Sequence, residues 1–319
     1  MPINRRQMIG VSVAAAASVV LPVWALDPVR RWPPVSELTD PLFVGKPDLG
    51  HLYYGASVPH YRSMPGWETE IGERLALNRS YFTPGQTTDL VTQSRGDLRR
   101  KRLPHVSVKP PGSWDDVASG RRDLWLADLF RGLAVSGGPV FLTIHHEPEN
   151  DSGARGMGAK DFVAMQERAI RIGRVSAPNV TVVPVHQHWT FDPDRRDKEP
   201  AAWVVPDADV FGLDIYNPWS PTNGKEWQTF GSKVDEVAPW IASKPIAIGE
   251  YGCRSDPSQP GRAAGWLQDA FDYARTHNVV SMSYFNSSLN SPDGSWELSG
   301  DTERAFARLL KSDWVARPL

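Results

Sequence analysis

Short runs of β-branched, aliphatic and aromatic residues recur along the chain, separated by longer stretches in which apolar residues return every three or four positions. The short runs have the length and composition of strands, and the long stretches have the period of amphipathic helices. Eight strand-like runs stand out: Leu49–Ser57, Ala76–Phe82, His105–Lys109, Val140–His145, Val180–His186, Val210–Tyr216, Pro245–Glu250 and Val280–Asn286. Between them the spacing predicts helices over Arg121–Val135, Ala159–Gly173, Lys233–Ala242, Gly261–His277 and Thr302–Leu310, with a less regular one over Thr88–Arg102. In Arg121–Val135, residues Leu124, Leu126, Leu129, Phe130 and Leu133 read as one apolar face.

Strands alternating with helices imply βα units and a parallel sheet. Eight such units in about 290 residues match the size of a (β/α)8 barrel. The predicted fold class is therefore α/β, a single-domain (β/α)8 TIM barrel over residues 48–319, behind a proline-rich lead-in at 26–47. A doubly wound open sheet is the alternative, but no G-x-G-x-x-G loop follows the first run, so no dinucleotide is implied, and no cofactor is expected.

Residues 1–25 read as an address. Arg5 and Arg6 precede a mildly apolar, alanine-rich run from Ile9 to Val23, and Val23-Trp24-Ala25 ends in a small residue. The run is shorter than the roughly 20 apolar residues of a membrane span. Paired arginines in this position resemble a bacterial twin-arginine export signal, which implies a secreted or periplasmic protein with no membrane attachment after cleavage. The lone Cys253 rules out an internal disulfide and a cysteine-based metal site. With 35 basic and 37 acidic residues the formal net charge is −2, so no global positive field attracts nucleic acid, and any partner is recognised locally.

In a barrel the chemistry collects beyond the carboxyl ends of the strands. The fourth run ends in His145-His146-Glu147-Pro148-Glu149-Asn150, the fifth in His186-Gln187-His188-Trp189, the sixth in Asp214-Ile215-Tyr216-Asn217-Pro218-Trp219, and the seventh in Gly249-Glu250-Tyr251-Gly252. The eighth runs through Asn286 and Asn290 to Trp296. Strict alternation puts Phe141, Thr143, His145 and Glu147 on one side, and Glu250 on the side of Ile246 and Ile248. If those isoleucines fill the barrel, Glu250 points inward at its rim, where it needs a function or a partner such as Arg254. Glycoside hydrolysis requires two carboxyl groups facing each other across the bond, and Glu147 with Glu250 is such a pair.

The His-Glu-Pro ending of run four and the Gly-Glu-Tyr-Gly ending of run seven resemble clan A glycoside hydrolases, which are retaining (β/α)8 enzymes. Clan members commonly carry Asn-Glu-Pro after the fourth strand; His146 stands here in place of Asn, as in glycoside hydrolase family 26, the mannanase-like branch. The resemblance implies that Glu147 is the acid/base, Glu250 the nucleophile, His146 a sugar or acid-orienting contact, and Tyr216 a hydrogen-bond donor to the nucleophile. It also implies a polysaccharide or oligosaccharide substrate, with mannan the first guess.

Aromatic residues point to a carbohydrate by a separate route. There are 13 tryptophans, and Trp67, Trp114, Trp189, Trp219 and Trp296 fall beyond predicted strand ends, where an indole can pack on the C–H face of a sugar. Trp189, Trp219 and Trp296, with His188 and Asn286, complete the candidate substrate-binding set. Two rival readings differ in class. His186 and His188 form an H-x-H pair that, with His145 or His146, suits a divalent metal in a metal-dependent barrel hydrolase, but the first run offers only His51-Leu52-Tyr53 where an H-x-H is usual. The other rival is a catalytically inactive, carbohydrate-binding barrel. Asp214 receives no role, and Glu149 and Asp151 read as solvated loop charges.

Overall fold

The computed structural model describes residues 43–58, 63–195, 199–241, 243–289, 291 and 293–319. The predicted export signal, most of the lead-in and Asn290 lie outside these residues. Strands and helices follow in the order β1 (Tyr53–Ser57), α1 (Met64–Ile71), β2 (Leu77–Phe82), α2 (Thr87–Arg99), β3 (Leu103–Val108), α3 (Trp114–Ala118), α4 (Asp123–Ala134), β4 (Val140–Ile144) and α5 (Ala159–Ser176). Then come β5 (Val180–Val182), β6 (Val185–Gln187), β7 (Phe211–Tyr216), α6 (Phe230–Ile241), β8 (Ile246–Gly252), α7 (Arg262–Thr276), β9 (Val279–Phe285) and α8 (Gly300–Leu310). Every predicted run contains a strand, and the irregular Thr88–Arg102 stretch is helical as α2.

All strand pairs are parallel, in the order β5-β4-β3-β2-β1-β9-β8-β7-β6. The strands at the two ends of this order are halves of one run, separated only by Val183 and Pro184. The Val183 N–H donates to Leu142 O at 2.8 Å, and the Gly212 N–H donates to Pro184 O at 2.9 Å. The run thus joins β4 on one side and β7 on the other, and the ring closes. Pro184 has no N–H to offer a ladder, which accounts for the break between β5 and β6.

The barrel interior is filled by one or two side chains from each position around the ring: Tyr53, Leu77, Leu103, Phe141, Val183, Val185, Val210, Ala247 and Val280. Phe43 packs on Phe141 at a ring separation of 6.0 Å and caps this layer from the lead-in side. Two larger apolar clusters lie between the strands and the helices, one around Tyr54, Phe211, Ile248 and Phe306, the other around Val106, Leu142, Phe130 and Phe162. Leu126, Leu129, Phe130 and Leu133 of α4 belong to the second cluster. Leu124 does not. It is 85% exposed, because two residues of helix carry it about 200° around the axis from Leu126.

Two helices escape the apolar-period reading. In α1, Ser63 caps the first turn by accepting from the Gly66 N–H at 3.1 Å, and Gly72 ends it at φ 69°. In α3, Ser113 and Asp116 form a reciprocal capping box. Both are short enough that their caps carry the signal.

Candidate active site

At the carboxyl ends of the strands lies an open cleft of about 560 Å³. Glu147, Glu250, His188, Trp189, Tyr216 and Trp296 line it, six of the nine residues singled out from the sequence. How the backbone aims the two glutamates differs from simple alternation.

In β4, Phe141 faces the interior, while Leu142 and Ile144 face the helices. Alternation then ends. His145 and Glu147 both adopt left-handed backbone, φ 60° and 48°, a region costly for residues with a Cβ and tolerated where surrounding contacts hold it. His145 consequently points outward: its Nδ1 accepts from Trp114 Nε1 at 2.9 Å, and its Nε2 lies 2.7 Å from Asp151 Oδ2. Burial lowers its pKa, so the neutral ring carries its proton on Nε2 and donates it to Asp151. His146 turns toward β3 and β2, with Nδ1 2.9 Å from Ser107 Oγ and its ring 5.1 Å from that of Tyr81. Glu147 is left to enter the cleft, its N–H bonded to Val185 O at 3.0 Å. Phe141, Thr143, His145 and Glu147 therefore do not share one side.

The aim of Glu250 comes from a β-bulge. Ile246 and Ile248 pack outward among the helices, and Ala247 is the residue inside the barrel. Leu213 pairs with Ile248, but Asp214 pairs with Glu250, leaving Gly249 as the extra residue. A bulge of this kind re-aims the next side chain, and it turns Glu250 inward although alternation from the outward isoleucines would not. Gly249 is required there: a Cβ would stand 2.6 Å from Asp214 Oδ1 and 3.0 Å from Val185 Cγ1.

Arg254 is not the partner of Glu250. Its guanidinium lies 3.7 Å above Trp296 and donates to Gly294 O, Trp219 O and Ser291 Oγ. Two phenols hold Glu250 instead. Tyr216 donates to Oε2 at 2.5 Å, the contact implied by the resemblance, and Tyr81 donates to Oε1 at 2.7 Å. Burial and the negative charge of Glu250 push both phenol pKa values well above 10, so both remain donors. Tyr81 was not singled out from the sequence; its place at the end of the second run is the signal that could have found it.

One oxygen each from Glu147, Glu250 and Asp214 lie within 4.8 Å of one another. Burial, then the charge of Glu250, raises the Glu147 pKa to about 8, against an opposing hydrogen bond from Gln187. Asn150 Nδ2 also donates to Glu147 Oε2 at 2.9 Å. Asp214 is 1% exposed with neither oxygen hydrogen-bonded, and burial with the charges of Glu250 and Glu147 drives its pKa well above the usual carboxylate range. It is a third carboxyl group of the site that the sequence left without a role.

His146, Trp219 and Asn286 do not line the cleft among its described residues. Trp219 meets Trp227 edge to face at 5.3 Å, and Arg262 covers Trp227 from 4.1 Å. Asn286 is buried and accepts from the Leu298 N–H at 2.8 Å, bracing the segment after β9 that carries Trp296. Trp67 and Trp114 are core residues with no exposure; the Nε1 of Trp67 is spent on Glu303 at 2.9 Å. Trp67 lies in α1 and stacks on Phe306 of α8, and Trp114 opens α3 and packs edge-on against Phe162 of α5.

The histidines of the metal reading have separate partners, Ser107 for His146 and a different acid for each of the other three. His186 is buried among Phe162, Phe191 and Phe211, with Nδ1 3.1 Å from Glu149 Oε1. The Nε2 of His188 lies 2.9 Å from Glu236 Oε2 on α6. Among the described residues, the cluster with ligand atoms close enough for a metal is the carboxylate trio, and no histidine joins it. Glu149 and Asp151 are not simply solvated: Glu149 is buried and also accepts from the Gln187 N–H, and Asp151 bridges His145 and Lys109.

No family model matches the sequence, and no curated protein matches it. Solved structures do resemble it. The Cellulomonas fimi endo-β-1,4-mannanase double mutant aligns over 84% of this chain and 72% of its own at 13% identity and a TM-score of 0.54. A family 26 protein from Muricauda sp. MAR_2010_75 aligns over 84% and 87% at 10% identity and a TM-score of 0.53. The catalytic domain of Thermobifida fusca endoglucanase Cel5A aligns over 81% and 92% at 13% identity and a TM-score of 0.55. The shared property is the fold, a (β/α)8 barrel.

Proposed function

We propose that the protein is a retaining β-glycosidase acting on a polysaccharide or oligosaccharide, with mannan the first substrate to test. The observation that carries the reading is the facing pair of Glu147 and Glu250 at the carboxyl ends of β4 and β8, with oxygens within 4.8 Å. Retaining enzymes hold their two carboxyl groups about 5–5.5 Å apart, whereas inverting enzymes leave about 6.5–9.5 Å for a water.

Glu147, with its pKa raised to about 8, is protonated at neutral pH and gives its proton to the glycosidic oxygen. Glu250, positioned by Tyr81 and Tyr216, attacks the anomeric carbon, and the C–O bond to the leaving group breaks as a glycosyl ester forms. The Glu147 carboxylate then takes a proton from water, whose oxygen attacks the same carbon and releases Glu250. Trp189, Trp296 and His188 serve as sugar contacts on the cleft walls, while His146, Trp219 and Asn286 act through the residues they support. We further read residues 1–25 as a twin-arginine signal that delivers the enzyme to a secreted or periplasmic location.

The test is two-part. Glu250→Ala abolishes turnover and is rescued by azide as a replacement nucleophile, while Glu147→Ala impairs natural glycosides far more than activated aryl glycosides, whose leaving groups depart without a proton. Reducing-sugar release from mannan, xylan or a β-glucan is expected with and without a chelator. Chelator-sensitive release would favour a metal hydrolase, and binding without release an inactive module.

A further inference from the structure

A second cavity, larger than the cleft, lies at the opposite end of the barrel. It measures about 900 Å³ and opens where the chain leaves α1 and α2 and enters β2 and β3, the face remote from the catalytic carboxylates. Its wall is cationic: Arg74, Arg99, Arg100, Lys101, Arg102 and Arg317 line it.

Two of these six are structural. Arg102 is buried and paired with Glu68 and Asp97, and Arg317 is tied to the Arg74 and Leu75 carbonyls. They fix the floor. Glu68 is committed to Arg102, and Glu73, the other acid of the wall, lies 3.1 Å from Lys311. Arg74, Arg99, Arg100 and Lys101 are exposed, and no acid among the described residues pairs with any of them. Like charges gathered in a concavity repel one another, and the concave wall focuses their field outward. The arrangement is complementary to a ligand with several oxyanion groups, which guanidinium forks bind bidentately.

We propose that this cavity binds the carboxylate or sulfate groups of an acidic polysaccharide, as a second attachment point independent of the cleft. The wall has no aromatic residue on which a nucleobase would stack and no large aliphatic side chain to enter a lipid surface. The volume suits a short sugar segment. A chain held there leaves the cleft free, since the two openings face opposite ends of the barrel.

The experiment is affinity electrophoresis of the full chain through gels containing polygalacturonate, heparin or neutral mannan, with duplex DNA and phosphatidylserine vesicles tested in parallel. Wild type is retarded by at least one acidic polysaccharide, and the retardation disappears as salt rises. Polygalacturonate and heparin separate carboxylate from sulfate recognition. The triple variant Arg99→Gln, Arg100→Gln, Lys101→Gln loses roughly tenfold or more in affinity with an unchanged melting temperature. Arg74→Gln, on a different loop, shows a smaller loss in the same direction and decides the matter if the triple variant is unstable. Absence of retardation, retardation unaffected by these substitutions, or tighter binding to DNA or vesicles would each overturn the proposal.

Discussion

Glu147 and Glu250 are chemically identical residues in different surroundings. Glu147 combines burial with a neighbouring negative charge, whereas Glu250 receives two phenol O–H donors. The alkaline limb of kcat/KM should therefore fall with an apparent pKa near 8 as Glu147 loses its proton, and it should disappear in Glu147→Gln assayed on an activated aryl glycoside. A limb unmoved by that substitution would assign the titration elsewhere. Stability follows the same sign. A carboxyl group whose folded pKa is raised favours the fold fully below its unfolded value near 4.5, and that contribution is lost as pH rises through about 8, so the melting temperature should decline across this window. The tryptophans divide similarly. Trp296 lines the cleft although it is only 7% exposed, beneath Arg254 and 4.7 Å from Tyr216, so Trp296→Ala should raise KM as well as lower the melting temperature. Trp67, wholly buried and stacked on Phe306, should instead cost about 3–5 kcal/mol on truncation with KM unchanged. Calorimetry alongside kinetics separates the two.

At the scale of single elements, the ends of β4 and β8 matter more than their middles. The middle of each strand is specified by apolar residues that need burial, and almost any β-branched residue of the right volume would serve. The ends depart from regular geometry: two left-handed residues after β4, and a bulge at Gly249 in β8. Gly249→Ala tests the second. Its methyl group would meet Asp214 at 2.6 Å, so either the bulge or the Asp214 side chain must shift, and with it Glu250. A fall in kcat of at least tenfold is expected, on the scale of about 1.4 kcal/mol of lost transition-state positioning, with near-UV circular dichroism still native. Wild-type kcat in this variant would show that the bulge does not control the aim of Glu250.

For the whole molecule, the closed ring keeps two faces apart: a carboxylate-rich cleft at one end and a cationic cavity at the other. Export, if it runs as the first residues suggest, carries this barrel already folded, and Cys253, buried and unpaired, has no disulfide to form afterwards. Replacing Arg5 and Arg6 by Lys retains the charge but should stop the protein reaching the periplasm or medium, as cell fractionation would reveal. Normal export of the double variant would point to the general secretory route.

The amino-acid order alone determined the repeating βα rhythm, the eight strand positions, most helices and the two glutamates, because each rests on local periodicity or on short words at the ends of predicted strands. Tertiary structure decided where those glutamates point. Side-chain direction at a strand end depends on one positive φ or one extra residue, and strict alternation hides both, as His145 and Ile248 demonstrate. It also decided which polar residues share the site. Tyr81 reaches Glu250 across 169 residues of sequence, and Asp214 becomes part of a carboxylate trio only when the bulge in β8 brings Glu250 opposite it. Whether a buried indole also borders the cleft follows from which elements pack around it, which is why Trp67 and Trp296 read alike in the sequence while, of the two, Trp296 lines the cleft.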